Sequence, residues 1–159
     1  MTDTGYSLTI LSDSEAEMTR LFDAPREVVY RAYTDPAAVS QWWGPRGTTT
    51  VVDAMDVRVG GSWRFIQRDA EGNEYAFHGE YLEVVPNEKL VSTFIFEPWP
   101  DNVMTDDASF TDEAGRTRIT VHSTASDPAG LKAMIDSGME SGMIETWDRL
   151  NEYVVAQTA

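Results

Sequence analysis

The chain carries two histidines, no cysteine and 27 acidic residues, and these bound the chemistry it could perform. His78 and Glu80 lie two residues apart in a strand-like run, so they share one face of a strand. There they could polarise a carbonyl or accept a proton, as a cyclase-type reaction requires. The same spacing suits an exposed polar face opposite Phe77, and we favour that reading. His122 lies far from His78, no His-x-x-x-His spacing occurs, and no carboxylate set resembles an EF-hand loop; we expect no metal site and no cofactor. A Gly-x-Ser-x-Gly elbow, a phosphate-binding loop and a dinucleotide fingerprint are also missing. We therefore assign no catalytic residue.

The residues that stand out instead are large and apolar. Trp63 and Phe65, Tyr75 and Phe77, and Phe94 and Phe96 form three pairs, each spaced by two, so each pair occupies one face of its strand. We expect the three faces to coincide. Trp42 and Trp43 are adjacent at a helix end, where they either wedge helices against a sheet or reach a pocket mouth. Neighbours on a helix point about 100° apart, so we expect one of them to face a pocket. Met134, Met139, Met143 and Trp147 recur on one side of a C-terminal helical run. Methionine adapts to irregular apolar shapes and suits binding surfaces. Solid packing of all these side chains is the alternative to a pocket.

The elements that must position them follow from periodicity and punctuation. Tyr6 to Leu11 and Glu15 to Phe22 read as one or two strands joined near Asp13. Pro25 suits the first position of a helix whose stripe is Val28, Val29, Ala32 and Tyr33. Asp35-Pro36 starts a second short helix, with Asp35 as N-cap, which Gly44-Pro45 ends. About six strands follow, with hairpin loops at Asp69 to Asn73 and at Glu113-Ala114-Gly115. Asp127-Pro128 opens one long final helix whose apolar positions run from Leu131 through Met143 and Trp147 to Val154 at a period near 3.6. Gly138 and Gly142 interrupt it, each at a cost of roughly 1 kcal/mol relative to alanine. Close approach to the sheet or space for a ligand would offset that cost.

Composition sets the frame. A chain of 159 residues suits one domain over its whole length. It contains no run long and apolar enough to span a membrane. The start Met1-Thr2-Asp3-Thr4-Gly5 lacks the basic and apolar regions of a signal peptide, and a cysteine-free chain fits the cytoplasm. The net charge of −15 repels phosphate backbones and anionic lipid headgroups, so we expect neither nucleic-acid binding nor membrane insertion. Exposed strand edges are compatible with a homodimer, and a protein partner is not indicated.

The ordered set Phe22-Asp23-Ala24-Pro25, Tyr30-Arg31-Ala32, Thr34-Asp35-Pro36, Trp42-Trp43-Gly44-Pro45, Gly60-Gly61-Ser62-Trp63-Arg64-Phe65, Gly79-Glu80-Tyr81-Leu82-Glu83-Val84-Val85-Pro86, Glu88-Lys89-Leu90-Val91, Gly142 and Trp147-Asp148-Arg149-Leu150 resembles the AHSA-like family. That family is named after the activator of the Hsp ATPase and belongs to the SRPBCC, START-related helix-grip superfamily. The resemblance covers about Leu8 to Val155. It departs where the family commonly has an aromatic after the helix glycine and this chain has Met143. It implies an α+β fold: a curved antiparallel sheet of about six or seven strands around a long C-terminal helix, with two short helices after the first strand. It implies a cavity between sheet and helix, but no activity, since lipid carriers, polyketide cyclases, sterol binders and co-chaperone domains share the fold. We expect binding of a small hydrophobic molecule of lipid, isoprenoid or aromatic polyketide type. The alternatives are a cyclase- or hydrolase-type enzyme using the same cavity, and a co-chaperone-like interaction module.

Only two of the 12 basic residues are lysines. The acidity fits either a GC-rich genome with a solvated acidic surface or adaptation to a salt-rich cytoplasm, where carboxylates keep a protein hydrated. Salt adaptation predicts an unfolding midpoint that rises between low and molar KCl; a midpoint that falls excludes it.

Overall fold

A computed structural model describes residues 4–158, so most of the N-terminal run read for a signal peptide lies outside the described residues. Eight strands form one antiparallel sheet: β1 (Ser7–Ile10), β2 (Glu15–Phe22), β3 (Thr49–Met55), β4 (Ser62–Arg68), β5 (Glu74–Val85), β6 (Lys89–Phe96), β7 (Val103–Glu113) and β8 (Arg116–Ala125). Their spatial order is β1-β2-β8-β7-β6-β5-β4-β3. Hairpins join β3 to β8 in sequence, and the N-terminal hairpin closes onto β8 with Phe22 opposite Thr117. The tight turn after β7 places Ala114 and Gly115 at φ of 55° and 86°, the paired positive values that match the twist of adjoining strands.

Alternation along the strands puts the core on the concave face. On β2, Ala16, Met18, Arg20 and Phe22 point inward; on β4, Trp63 and Phe65 do. Register shifts at Val52/Ala54 and at Tyr81/Glu83 bend the sheet. At Gly79 the backbone runs so close to β6 that an added Cβ would lie 1.9 Å from the Thr93 carbonyl oxygen. The Trp63 indole N–H donates to that same oxygen at 3.2 Å, so the missing side chain makes room for the tryptophan.

Two short helices, α1 (Arg26–Thr34) and α2 (Pro36–Trp42), separate β2 from β3. Asp35 caps α2 by accepting from the Ala37 amide at 3.0 Å. Pro25 sits one position earlier than its N1 assignment: it is the extended N-cap of α1. The single long C-terminal helix is corrected to two, α3 (Pro128–Asp136) and α4 (Met139–Thr158). Gly138, at φ of 84°, takes the left-handed conformation that ends α3, and its amide donates to the Ile135 carbonyl at 3.1 Å. An apolar stripe of constant period continues through such a break, which is why the pattern concealed it.

α4 packs solidly along its C-terminal part, where Trp147, Leu150 and Val154 are buried against Phe22, Val29, Phe110 and Ile119. A smaller cluster of Ala16, Met104, Ala125 and Leu131 anchors α3. None of the described helices is long and apolar enough to cross a membrane. Gly79→Ala should lower the unfolding free energy by roughly 1–3 kcal/mol, since the backbone carbonyl it meets has no room to yield. Urea unfolding followed by tryptophan fluorescence checks this, and an unchanged midpoint would refute the close approach.

Candidate functional site

The N-terminal half of α4 does not pack solidly on the sheet. Beneath it lies a cavity of about 680 Å³, bounded by the concave face of β4 to β8, the end of α2, and α3 and α4. That volume falls within the range of small-molecule sites. Trp63 and Phe65, Tyr75 and Phe77, and Phe94 and Phe96 all line it. Their faces coincide because the register sets Phe65 opposite Phe77, and Phe77 opposite Phe96. Phe77 sits at the centre of the aromatic wall, with ring centroids 5.3 Å from Phe94 and 5.2 Å from Phe96. From the helical side Met134, Met139, Met143 and Trp147 complete the enclosure.

Both Trp42 and Trp43 border the cavity, which corrects the expectation that only one would. Trp42 ends α2 with its indole N–H donating to the Ala32 carbonyl at 2.9 Å. At Trp43 the backbone is already extended, with ψ of 128°, so the 100° helical rotation no longer applies. Its ring stands edge-on to Phe65 and Phe77 at 5.3 and 5.1 Å. Gly142 also lines the cavity, and an added Cβ there would meet no atom within 4 Å. Of the two explanations for this helical glycine, close approach is thereby excluded.

Asp106 is the wall residue that the aromatic pattern did not reveal. It faces inward on β7 between Met104 and Ala108, and it is the one charged side chain among the described residues lining the cavity. Its cross-strand partners are Ser92 on β6 and Ser123 on β8, and Ser92 in turn lies opposite Tyr81 on β5. All four line the cavity, so a polar row crosses a largely apolar concave face. The Ser123 hydroxyl donates to Asp106 Oδ1 at 2.7 Å. Burial pushes the Asp106 carboxyl up from 3.8 to about 6, against the opposing effect of that hydrogen bond. Tyr33, whose hydroxyl accepts from the Trp147 indole at 2.8 Å, is held above its ordinary range by burial, and the charge of Asp106 adds to this. The sequence held a signal for this site: Met104-x-Asp106-x-Ala108-x-Phe110 places a carboxylate within an apolar strand face.

The histidines lie elsewhere. His78 is paired with Arg64 across the strands on the outer face of the sheet, and its Nδ1 is 2.9 Å from Glu97 Oε2. Arg64 Nε donates to the same oxygen at 2.8 Å and holds Glu97 at about 2. Glu80 is exposed on that face. His122 Nε2 is 2.9 Å from Glu15 Oε1, and neither histidine lines the cavity. Among the described residues no group of three or more potential ligands is placed to hold a metal.

The raised carboxyl has a consequence for stability. Between its ordinary and raised values the folded protein holds a proton that the unfolded chain has released. Asp106 therefore favours the folded state below about pH 4, and that contribution is lost as pH rises through about 6. Asp106→Asn, which does not titrate, should stabilise the protein by roughly 1–3 kcal/mol near pH 7.5, with the gain vanishing towards pH 4. Urea unfolding of both proteins across this range measures it, and a pH-independent difference would refute the desolvation.

Comparison with known proteins adds the family. The profile described as "Activator of Hsp90 ATPase homolog 1-like protein" matches residues 23–155. A Chromobacterium violaceum protein of known structure is 25% identical, with a TM-score of 0.78 over 90% of this chain and 98% of that one. A Rhodobacter sphaeroides protein superposes with a TM-score of 0.88 at 20% identity, over 95% of this chain and 99% of its own. A protein from the dynemicin biosynthetic locus is 24% identical with a TM-score of 0.68, over 90% of this chain and 48% of that one. No significant match was found among curated proteins. With the profile spanning β3 to β8, α1 to α3 and most of α4, the chain belongs to the Activator of Hsp90 ATPase homolog 1-like family of helix-grip proteins.

Proposed function

We propose that the protein binds a small hydrophobic molecule in the cavity between the sheet and α4, with Trp42, Trp43, Trp63, Phe65, Tyr75, Phe77, Phe94, Phe96, Met134, Met139, Met143 and Trp147 as its apolar contacts. The observation that carries this reading is a cavity of about 680 Å³ left open in the densest aromatic region of the chain. The C-terminal half of the same helix is packed, with Leu150 and Val154 fully buried, so the space is not a general looseness along α4. Binding would draw on burial of apolar ligand surface, at roughly 25 cal/mol per Å². The polar row on β5 to β8 would orient the ligand.

Asp106 favours a second reading, an enzyme acting on the bound molecule. A carboxyl titrating at about 6 beside a cavity is suited to exchanging protons with a substrate near neutral pH. A protein-interaction role would need no such cavity, and it gains support only from the description of the family.

Native mass spectrometry of freshly purified protein, followed by denaturation and organic extraction, tests the binding reading. A reproducible additional mass that extracts as an apolar compound supports it. A clean apo mass, with no thermal stabilisation by a panel of lipids and aromatic polyketides, refutes it. Phe77→Asp and Met143→Asp should abolish uptake. Gly142→Leu, which adds volume where no atom stands within 4 Å, should remain folded yet take up markedly less ligand. Folded variants with unchanged uptake would place the ligand elsewhere.

A further inference from the structure

We propose, building on the ligand-binding reading above, that the cavity selects hydrophobic molecules bearing an ammonium group, which the Asp106 carboxylate holds as an ion pair within the aromatic wall. Among the described residues, the cavity is lined by ten aromatic side chains besides Tyr33 and Tyr81, and by no arginine, lysine or histidine. A carboxylate in such a place is partly withdrawn from solvent and, among the described residues lining the cavity, has no cation beside it to offset the burial of its charge. Its protein partner is the Ser123 hydroxyl at 2.7 Å, a neutral donor. An ammonium ion supplied by a ligand would complete this arrangement. The faces of surrounding tryptophan and phenylalanine rings attract the same charge.

Other ligand charges fit poorly. A fatty acid or a phosphate would bring a second anion beside Asp106, which costs binding unless one of the two is protonated. The protein's net charge of −15 repels anions and attracts cations before they reach the mouth. A neutral alcohol would leave the carboxylate unpaired or force it to take a proton. Burial raises the Asp106 carboxyl, and no cation in the cavity wall offsets its charge among the described residues.

The groups facing Asp106 leave it alone to titrate. β6 presents Ser92, β8 presents Ser123, and α4 presents Met143, Thr146 and Trp147. α1 contributes Tyr33 and β5 contributes Tyr81, and burial holds both phenols above their ordinary range, so they stay neutral.

The test compares decylamine, decanol and decanoate as probes, by calorimetry in molar KCl, where surface charges are screened over about 3 Å. Near pH 7.5 the wild-type protein should bind decylamine at least about tenfold tighter than decanol, and decanoate more weakly than either. Asp106→Asn should bring decylamine to parity with decanol, since the amine loses its ion pair and the alcohol no longer meets an unpaired carboxylate. In the wild-type protein the preference for the amine over the alcohol should shrink between about pH 7.5 and 5, since the alkylammonium stays charged and only Asp106 takes up a proton. This measurement stands even if the variant does not fold. Decanol binding without preference for the amine, or a preference that survives in Asp106→Asn, overturns the proposal and leaves the hydrophobic-ligand reading intact. Failure of all three probes to bind overturns both.

Discussion

Four consecutive residues of α4 hold the protein together. Successive residues of a helix point about 100° apart, so a run of four faces nearly every direction around the axis. Trp147 reaches α1 through the Tyr33 hydroxyl at 2.8 Å and stands edge-on to Phe22 of β2 at 5.6 Å. Asp148 pairs with Arg20, a buried arginine on the inner face of β2 whose guanidinium also lies over the Phe22 ring. Arg149 donates to the carbonyl of Gln41 in the last turn of α2 and to those of Gly44 and Pro45 in the turn that follows, tying α4 to the end of that helix. Leu150 fills the core. A helix can use all four residues only if other elements surround it, and this is the physical content of a sheet gripping a helix.

That clamp lies near the middle of α4, and the cavity follows from its position. Beyond Trp147 the helix runs into the core with Leu150 and Val154. Before it, Met139, Gly142 and Met143 overhang the aromatic strands without filling the space between. The rings of β4 to β6 contact one another and Trp43 and form a continuous wall. The break at Gly138 turns α3 onto its own small cluster and leaves the methionines at the rim. Methionine suits this place because its flexible side chain conforms to whatever adjoins it.

Charge is segregated with equal clarity. On the outside, arginines find carboxylates: Arg64 with Glu97 and Asp53, Arg68 with Glu74, Arg118 with Glu113, Arg116 with Asp23. Exposed pairs of this kind contribute little to stability. They do account for His78, which joins the Arg64–Glu97 pair and has no access to the cavity. Inside, one carboxylate stands among rings. Among the described acidic side chains Asp106 is the one that lines the cavity, where a ligand would sit.

The sequence alone determined which residues share a strand face and which aspartates cap α2 and α3, because these are local. A period of two assigns Trp63 and Phe65, or Tyr75 and Phe77, to one side of a strand whatever surrounds them, and Asp35 and Asp127 cap helices through their own neighbours. Only the tertiary structure decided what depends on several elements at once. The split between α3 and α4 required Gly138 to adopt a positive φ, which an uninterrupted apolar stripe does not disclose. Trp42 and Trp43 both reach the cavity because the chain leaves the helix between them. The meaning of Asp106 was hidden because a strand's period reports its side and not its surroundings. The row from Tyr81 to Ser123 exists only through the register of four strands, and only the packed fold withdraws Asp106 from most of the solvent that would make it an ordinary aspartate.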